Sequence, residues 1–310
     1  MKILITGGLG HIGSYLLENI NKITKLKKIY IIDDLSTQRF STLLNLPKTN
    51  KKIIFIQKDL SLKNSLNNFP KVDVVINLAS ITDAEGSLKI KNKIYKVNLG
   101  IFNNILQYCK KKSSKLVHIS STSVYGEQEG LVNETCKQLR PKSPYAEIKL
   151  IEENKIKKEG KKIKYITYRF GTISGVSKGM RFHTAINKFC LNCALGKPLP
   201  LWKGMMDKPK PYLSLIDAFN VIKFTLNNNF FKNDVYNILS ENLTLLNIVK
   251  SFKMYSKKVK ITYHNSKLIN QYPYMVSNQK FTREAFKLKS KISSDIKSTL
   301  NQFKNLSNEV

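Results

Sequence analysis

Cysteine, arginine and tryptophan are scarce in this chain of 310 residues, which has four cysteines, five arginines and one tryptophan. Four cysteines cannot supply the disulfide framework of a small secreted scaffold in a chain this long. Cys190 and Cys193 form a CxxC, but no second pair follows it, and they lie in a segment patterned as an amphipathic helix (RFHTAINKFCLNCALG). With His183 upstream, a zinc site there would still lack a fourth ligand, so no metal is expected. No apolar run approaches the roughly 20 residues that cross a bilayer, so no membrane partner is expected either. MKILITGG runs directly into a strand and a glycine turn, so the sequence is expected to carry no leader and to work in the cytoplasm. Acidic residues are also few: 21 Asp and Glu stand against 53 Lys and Arg, a net charge of +32. Nearly all of that basicity is lysine scattered over helices and loops, the pattern of a solvated surface. Such a field draws in any polyanion, a diphosphate included. The runs Lys110–Lys112 and Lys161–Lys162 are short and not interleaved with aromatics, so no specific nucleic-acid partner is expected.

What is present is a regular alternation. KILITGG, KKIYIID, KIIFIQKD, DVVINLA, KLVHISS and KYITYRFG are β-branched and almost continuously apolar, as buried parallel strands are. Helical segments separate them, from Ile12 to about Ile23, from Ile94 to Lys111 and from Pro144 to Glu159. This rhythm predicts an α/β fold with a doubly wound parallel sheet. After Gly171 it breaks. Segment 176–212 holds one helix, the turn GKPLP and a short strand at Leu201–Trp202; residues 213–239 return to the sheet, and 240–310 are helix-rich. The expected division is therefore a cofactor-binding unit of residues 1–175 with the return at 213–239, and a smaller substrate-binding unit of 176–212 with 240–310.

Gly7, Gly10 and Gly13 stand in ITGGLGHIGS, between the first strand and the first helix. A tight turn, a close approach to a pyrophosphate and the packing of helix on strand each need a residue without Cβ, and the helix amides then face the phosphates. Glycines alone are equally compatible with a flexible turn. The strand–helix context is what points to a dinucleotide, held by the turn through His11 and Ile12. Asp33, at the end of the second strand, can accept hydrogen bonds from ribose hydroxyls and would repel the extra phosphate of NADP, which favours NAD; Arg39 is the nearby arginine. Tyr145 and Lys149 form a YxxxK on the helix opened by Ser143-Pro144, so both lie on one face. A free phenol titrates near ~10, and a neighbouring ammonium favours its phenolate, as proton transfer near neutral pH requires. Lys149 can also hold the nicotinamide ribose. YxxxK arises readily by chance in a lysine-rich chain, and KLVHISSTSVYG upstream gives it weight. There Ser121 stands at a strand's carboxyl end, where open sheets bind ligands, and can bond the oxygen being interconverted.

With these pieces in hand, the chain resembles the extended short-chain dehydrogenase/reductases, the NAD-dependent epimerase/dehydratase family. The resemblance is carried by GGLGHIG, the Asp33 strand end, Lys58-Asp59-Leu60, NLAS at 77–80, VNLG at 97–100, ISSTSVYG, SPYAEIK, RFGTISG and GKPLPLW. It implies a Rossmann-type sheet with a small C-terminal substrate domain. It further implies Asp59 and Leu60 at the adenine, Leu78, Ala79 and Ser80 along the cofactor, and Asn98 near the nicotinamide. Thr122 and Ser123 follow Ser121 where dehydratases carry Asp-Glu, which disfavours dehydration. Cys136 and His183 are the remaining candidates for a second acid/base pair. Thr172 replaces a common asparagine, and Lys210-Pro211-Tyr212-Leu213-Ser214 replaces an Arg-Asp-Phe-x-His pattern, so the nucleotide pocket is nonstandard. Thr122, Ser123, Thr172, Arg181 and Asn187 are the expected substrate contacts, with Arg181 suited to a bidentate grip on phosphate. Trp202 is expected in the core of the small unit. The implied reaction is NAD-dependent 4-epimerisation of a nucleotide-diphosphate sugar through a 4-keto intermediate. A 4-dehydrogenase or ketoreductase is the alternative, and a non-catalytic NAD sensor would have no need of Ser121, Tyr145 and Lys149. A homodimer through helices 98–111 and 144–159 is permitted by the apolar pattern Ile101, Ile105, Tyr108, Ile148 and Ile151. Polysaccharide synthesis is the setting by analogy.

Overall fold

Side chains alternate across a strand, so a nearly continuous apolar strand must be covered on both faces. The computed structural model shows this arrangement; it describes residues 1–82, 90–264 and 273–306. Positions 265–272 and 307–310 of the expected smaller unit lie outside the described residues. The first half runs β1 (Lys2–Thr6), α1 (His11–Glu18), β2 (Lys28–Asp33), α2 (Ser41–Leu44), β3 (Lys52–Gln57), β4 (Val74–Asn77), α3 (Lys91–Lys112), β5 (Lys115–Ser121), β6 (Leu131–Val132), α4 (Pro144–Glu159) and β7 (Tyr165–Phe170). Then come β8 (Thr172–Ser174), α5 (Ala185–Ala194), β9 (Leu199–Trp202), β10 (Lys210–Ser214), α6 (Leu215–Asn228), β11 (Val235–Ile238), β12 (Glu241–Leu243), α7 (Leu245–Tyr255), β13 (Ile261–His264), β14 (Met275–Val276), α8 (Gln279–Glu284) and α9 (Ile292–Gln302).

Seven strands make one sheet in the order β11-β7-β5-β4-β1-β2-β3, every pairing parallel. The six strands expected from the sequence are all in it, and β11 is the expected return. Ile3, Ile5, Ile29, Ile31, Val74 and Ile76 face the layer of α1 and α6. Leu4, Tyr30, Ile32, Val75 and Leu116 face the layer of α3 and α4. The α1 helix is shorter than expected, because the Asn19 side chain donates back to the Tyr15 carbonyl at 3.0 Å and a 3-10 turn over Ile20–Lys22 follows. Helix α4 is specified at both ends. The Ser143 hydroxyl accepts from the Ala146 amide, Pro144 and Glu147 occupy the first turn, and Lys157 and Lys158 close the last.

Helices α5, α7 and α9 pack with β9 and β10 around Ile186, Phe189, Leu201, Phe252 and Ile296. Cys190 and Cys193 are buried in this cluster, and among the described residues no group of three His, Cys, Asp or Glu is arranged to hold a metal. Trp202 is only partly buried and lies beside His264. The stretch 240–310 divides its side chains, because Phe281 and Leu288 enter the cluster under the main sheet. Asp295 ties α9 back to the sheet region, accepting from Ser174 at 2.6 Å and Ser214 at 2.9 Å. No helix among the described residues is long and apolar enough to cross a membrane. Ile101, Ile105, Tyr108 and Ile148, read above as a pattern for a second copy, are buried in this chain's own core; Ile151 is half-buried.

Phe281 is fully buried among Tyr168, Tyr236 and Phe286. Phe281→Ala is expected to destabilise the protein by about 3–5 kcal/mol, the usual range for emptying such a site, as read by urea unfolding.

Candidate active site

The chain leaves β1 toward β2 and β3 on one side and returns to β4 on the other. The strand order reverses between β1 and β4, and at such a switch point a crevice opens at the carboxyl ends of the strands. Two adjoining cavities of about 340 and 320 Å³ occupy it and share Gly7, Gly10, Leu78 and Ser80 as a wall.

Gly7 has φ +64°, and a Cβ there would come 2.7 Å from the Ala79 backbone; a Cβ on Gly13 would lie 2.5 Å from the Gly8 carbonyl. These two positions exclude side chains because the turn lies against the loop after β4 and α1 lies against the turn. The amino end of α1 carries no acidic residue and no side-chain cap. Its amides are left for an anion in the cavity. His11 and Ile12 line the larger cavity, and the His11 ring is held by its Nε2 donating to the Gly175 carbonyl at 2.8 Å. Burial, then Arg181, push its pKa down to about 3, so the ring is neutral. A phosphate contact from His11 would come from its backbone.

Asp33, Leu60 and Ala79 line the second cavity. The Asp33 carboxylate accepts from the Leu9 and Leu35 amides, both at 3.1 Å, and burial raises its pKa against those bonds. A carboxylate has about four lone-pair sites, so two are left for ribose hydroxyls. Asp59 and Asn98 line neither cavity. Asp59 accepts from the Ser61 amide at 2.7 Å. Asn98 bonds the amide and carbonyl of Ile81 at 2.8 and 3.0 Å and so positions the segment behind Ser80.

Ser121 ends β5, Tyr145 and Lys149 come from α4, and all three line the larger cavity with Thr122, Ser123 and Thr172. The Lys149 ammonium lies 5.8 Å from the centre of the Tyr145 ring. Ser123 donates to the Ser121 hydroxyl oxygen from its amide at 3.2 Å and its hydroxyl at 2.8 Å. Both lone pairs of the Ser121 oxygen are thereby engaged, which leaves its proton to donate elsewhere. Thr122 is held by the Phe170 carbonyl and the Tyr274 hydroxyl, each at 3.3 Å.

Arg181 lines the larger cavity and donates to the Thr82 hydroxyl. Asn187 does not reach the cavity; fully buried, it donates to the Arg181 carbonyl at 3.1 Å and supports that loop. Of the two candidates for a second acid/base pair, His183 lines both cavities and Cys136 neither. The sequence reading missed Lys210 and Tyr274, which line the larger cavity. Burial lowers the Lys210 pKa to about 8 and pushes Tyr274 up to about 12. Lys210 had a signal, since it opens the segment that departs from the Arg-Asp-Phe pattern. Tyr274 had none, because it arrives through the pairing of β14 with β6.

Gly7→Ala should weaken NAD binding about tenfold or more, because a left-handed φ alone costs a Cβ-bearing residue roughly 1–2 kcal/mol. Titration calorimetry with NAD against the parent protein checks it.

A family model described as the NAD dependent epimerase/dehydratase family matches residues 3–238. An uncharacterised UDP-glucose epimerase of Bacillus subtilis is 32% identical over 224 residues, 69% of each chain. The ADP-L-glycero-D-manno-heptose-6-epimerase of Brachyspira hyodysenteriae is 26% identical over 281 residues, covering 84% of this chain and 83% of its own. Among solved structures, the UDP-glucuronic acid 4-epimerase of Bacillus cereus in complex with NAD superposes with a TM-score of 0.83 at 23% identity, over 99% of this chain and 97% of that one. That likeness is one of fold. The chain belongs to the NAD dependent epimerase/dehydratase family, as an enzyme whose cofactor is NAD.

Proposed function

We propose that this enzyme is a nucleotide-sugar 4-epimerase. The observation that carries the reading is the common cavity of Ser121, Tyr145 and Lys149, which adjoins the glycine turn of α1. Relatives named as UDP-glucose 4-epimerases support the class of substrate. The absence of Asp-Glu after Ser121 argues against water expulsion.

The turn through Gly7, Gly10 and Gly13, with the backbone of His11 and Ile12, would hold the NAD pyrophosphate. Asp33 would hold the adenosine ribose, Leu60 the adenine, and Tyr145 with Lys149 the nicotinamide ribose. Leu78, Ala79 and Ser80 would flank the cofactor. Bound NAD supplies a ring that accepts a hydride from the sugar and can return it. Tyr145 takes the proton of the C4 hydroxyl and later gives it back to the C4 oxygen. Ser121 donates its free proton to that oxygen and holds it while it is a ketone. Arg181 and Lys210 hold the substrate diphosphate, and Thr122, Ser123 and Thr172 face the sugar. If the ketone turns over in the site before reduction, the C4 configuration inverts. The same proposal places the enzyme in the cytoplasm and pairs two copies through α3 and α4, with Ile151 as an apolar contact.

Near-ultraviolet absorbance of reduced nicotinamide, followed as NAD-bound protein meets UDP-, GDP-, CDP- and dTDP-sugars, tests this. A small or transient signal with a new C4 stereoisomer in the products is expected, and Tyr145→Phe should lower the rate by about 10²–10⁴. Lasting accumulation of reduced nicotinamide with release of a keto sugar would make the enzyme a 4-dehydrogenase instead.

A further inference from the structure

Behind the cavity, α4 carries a carboxylate that the reaction described above does not use. Glu152 pairs with Lys149 at 2.8 Å, with the two side chains only 2% and 4% exposed. The same oxygen lies 3.4 Å from Nε2 of His118, a fully buried ring on β5 packed edge-on against Phe102. Burial, then Lys149, hold His118 well below its ordinary pKa, so it stays neutral and brings no second cation to Glu152. The adjacent Glu153 is committed elsewhere, to Arg169 of β7 and Ser120 of β5. Two further charges act on Glu152 from its own helix: Glu153, which raises its pKa, and Lys155, which lowers it.

Burial by itself works against the Lys149 ammonium. The Glu152 carboxylate, joined by Tyr145, outweighs it, and the pKa of Lys149 is raised. Burial raises the Glu152 carboxyl in turn, against the pull of Lys149. The ammonium beside Tyr145 is therefore half of a buried pair rather than a bare charge.

We propose that Glu152 is a positioning residue of the reaction: its carboxylate fixes Lys149 and offsets the charge that the ammonium presents to Tyr145. The Tyr145–Lys149 pair then keeps its proton to a higher pH than a lone lysine would allow. This rests on the assignment of Tyr145 and Lys149 made above. Removing a negative charge from beside a coupled pair lowers the pH at which the pair releases its first proton, whichever member holds it.

The test is a pH titration of NAD-bound protein by near-ultraviolet phenolate absorbance, and it needs no sugar substrate. Wild type, Glu152→Gln and Glu152→Asp are each compared with the same protein carrying Tyr145→Phe, which isolates the Tyr145 signal. Glu152→Gln should titrate about one pH unit lower than wild type, the scale of one partly screened charge. Glu152→Asp, which keeps the charge, should stay close to wild type. A Gln curve that superimposes on wild type or moves higher overturns the proposal, as does an Asp curve displaced as far as Gln. Glu152→Met, of similar length and uncharged, is the second variant. If neither Gln nor Met folds with NAD present, the carboxylate serves folding and the proposal falls. An active Tyr145→Phe enzyme would overturn the assignment of the base itself, whatever the phenolate curves do.

Discussion

The ends of β1 and β4 are clasped through Thr6. Its fully buried hydroxyl donates to the Asn77 side chain at 3.0 Å and accepts from the Leu78 and Ala79 amides at 3.3 Å. The Gly7 amide donates to the Ile32 carbonyl at 2.8 Å, so three adjacent strands meet at one turn. With the two loops held this close, only glycine fits at position 7. The bare amino end of α1 and the rest of the crevice follow from that constraint. A dinucleotide site needs rigid amides at a fixed spacing, and a clasp inside the sheet supplies the rigidity that a surface loop would lack.

A second constraint lies under Ser121, Tyr145 and Lys149. Arg169 of β7 binds Glu153 of α4 through Nε and Nη2 and donates to Tyr125 at 2.9 Å, while Tyr125 donates to Asn237 of β11 at 3.0 Å. Buried ion pairs of this kind seldom stabilise a protein relative to well-packed apolar residues. What they do here is geometric. Ser121 is on β5 and Tyr145 is on α4, and Ser120 donates to the same Glu153 that holds Arg169. Helix and strand cannot slide without breaking a charged bond in a dry site, so the hydroxyl and the phenol keep their relation. The buried Lys149–Glu152 pair lies on the same helix as Glu153.

The parallel strands were legible because burial on both faces leaves an almost unbroken apolar run, as in DVVINLA, and little else in a sequence does so. The placement of Ser121 at a strand end, and of Tyr145 and Lys149 on a helix, was legible because those positions follow from that pattern. Asn98 and Asn187 read as contacts, yet their side chains bond backbone carbonyls behind the wall, at Ile81 and Arg181. Spacing cannot tell a ligand contact from a support one layer deeper. The pattern of Ile101, Ile105, Tyr108 and Ile148 was ambiguous in the same way, since an apolar stripe fits a second copy or the chain's own sheet equally well, and these side chains went to the sheet.

Local sequence by itself determined the strand and helix order, the turn at Gly7–Gly13, the Ser143-capped helix and the pairing of Tyr145 with Lys149 on one face. All of these are short-range consequences of side-chain period, capping and backbone freedom. Tertiary structure alone decided that Tyr274 reaches the larger cavity, that Phe281 completes the main core, and that Glu152 rather than Glu153 meets Lys149. Those outcomes depend on contacts between residues distant in the chain, or on which of two adjacent carboxylates a buried arginine claims. Neither leaves a trace in local pattern.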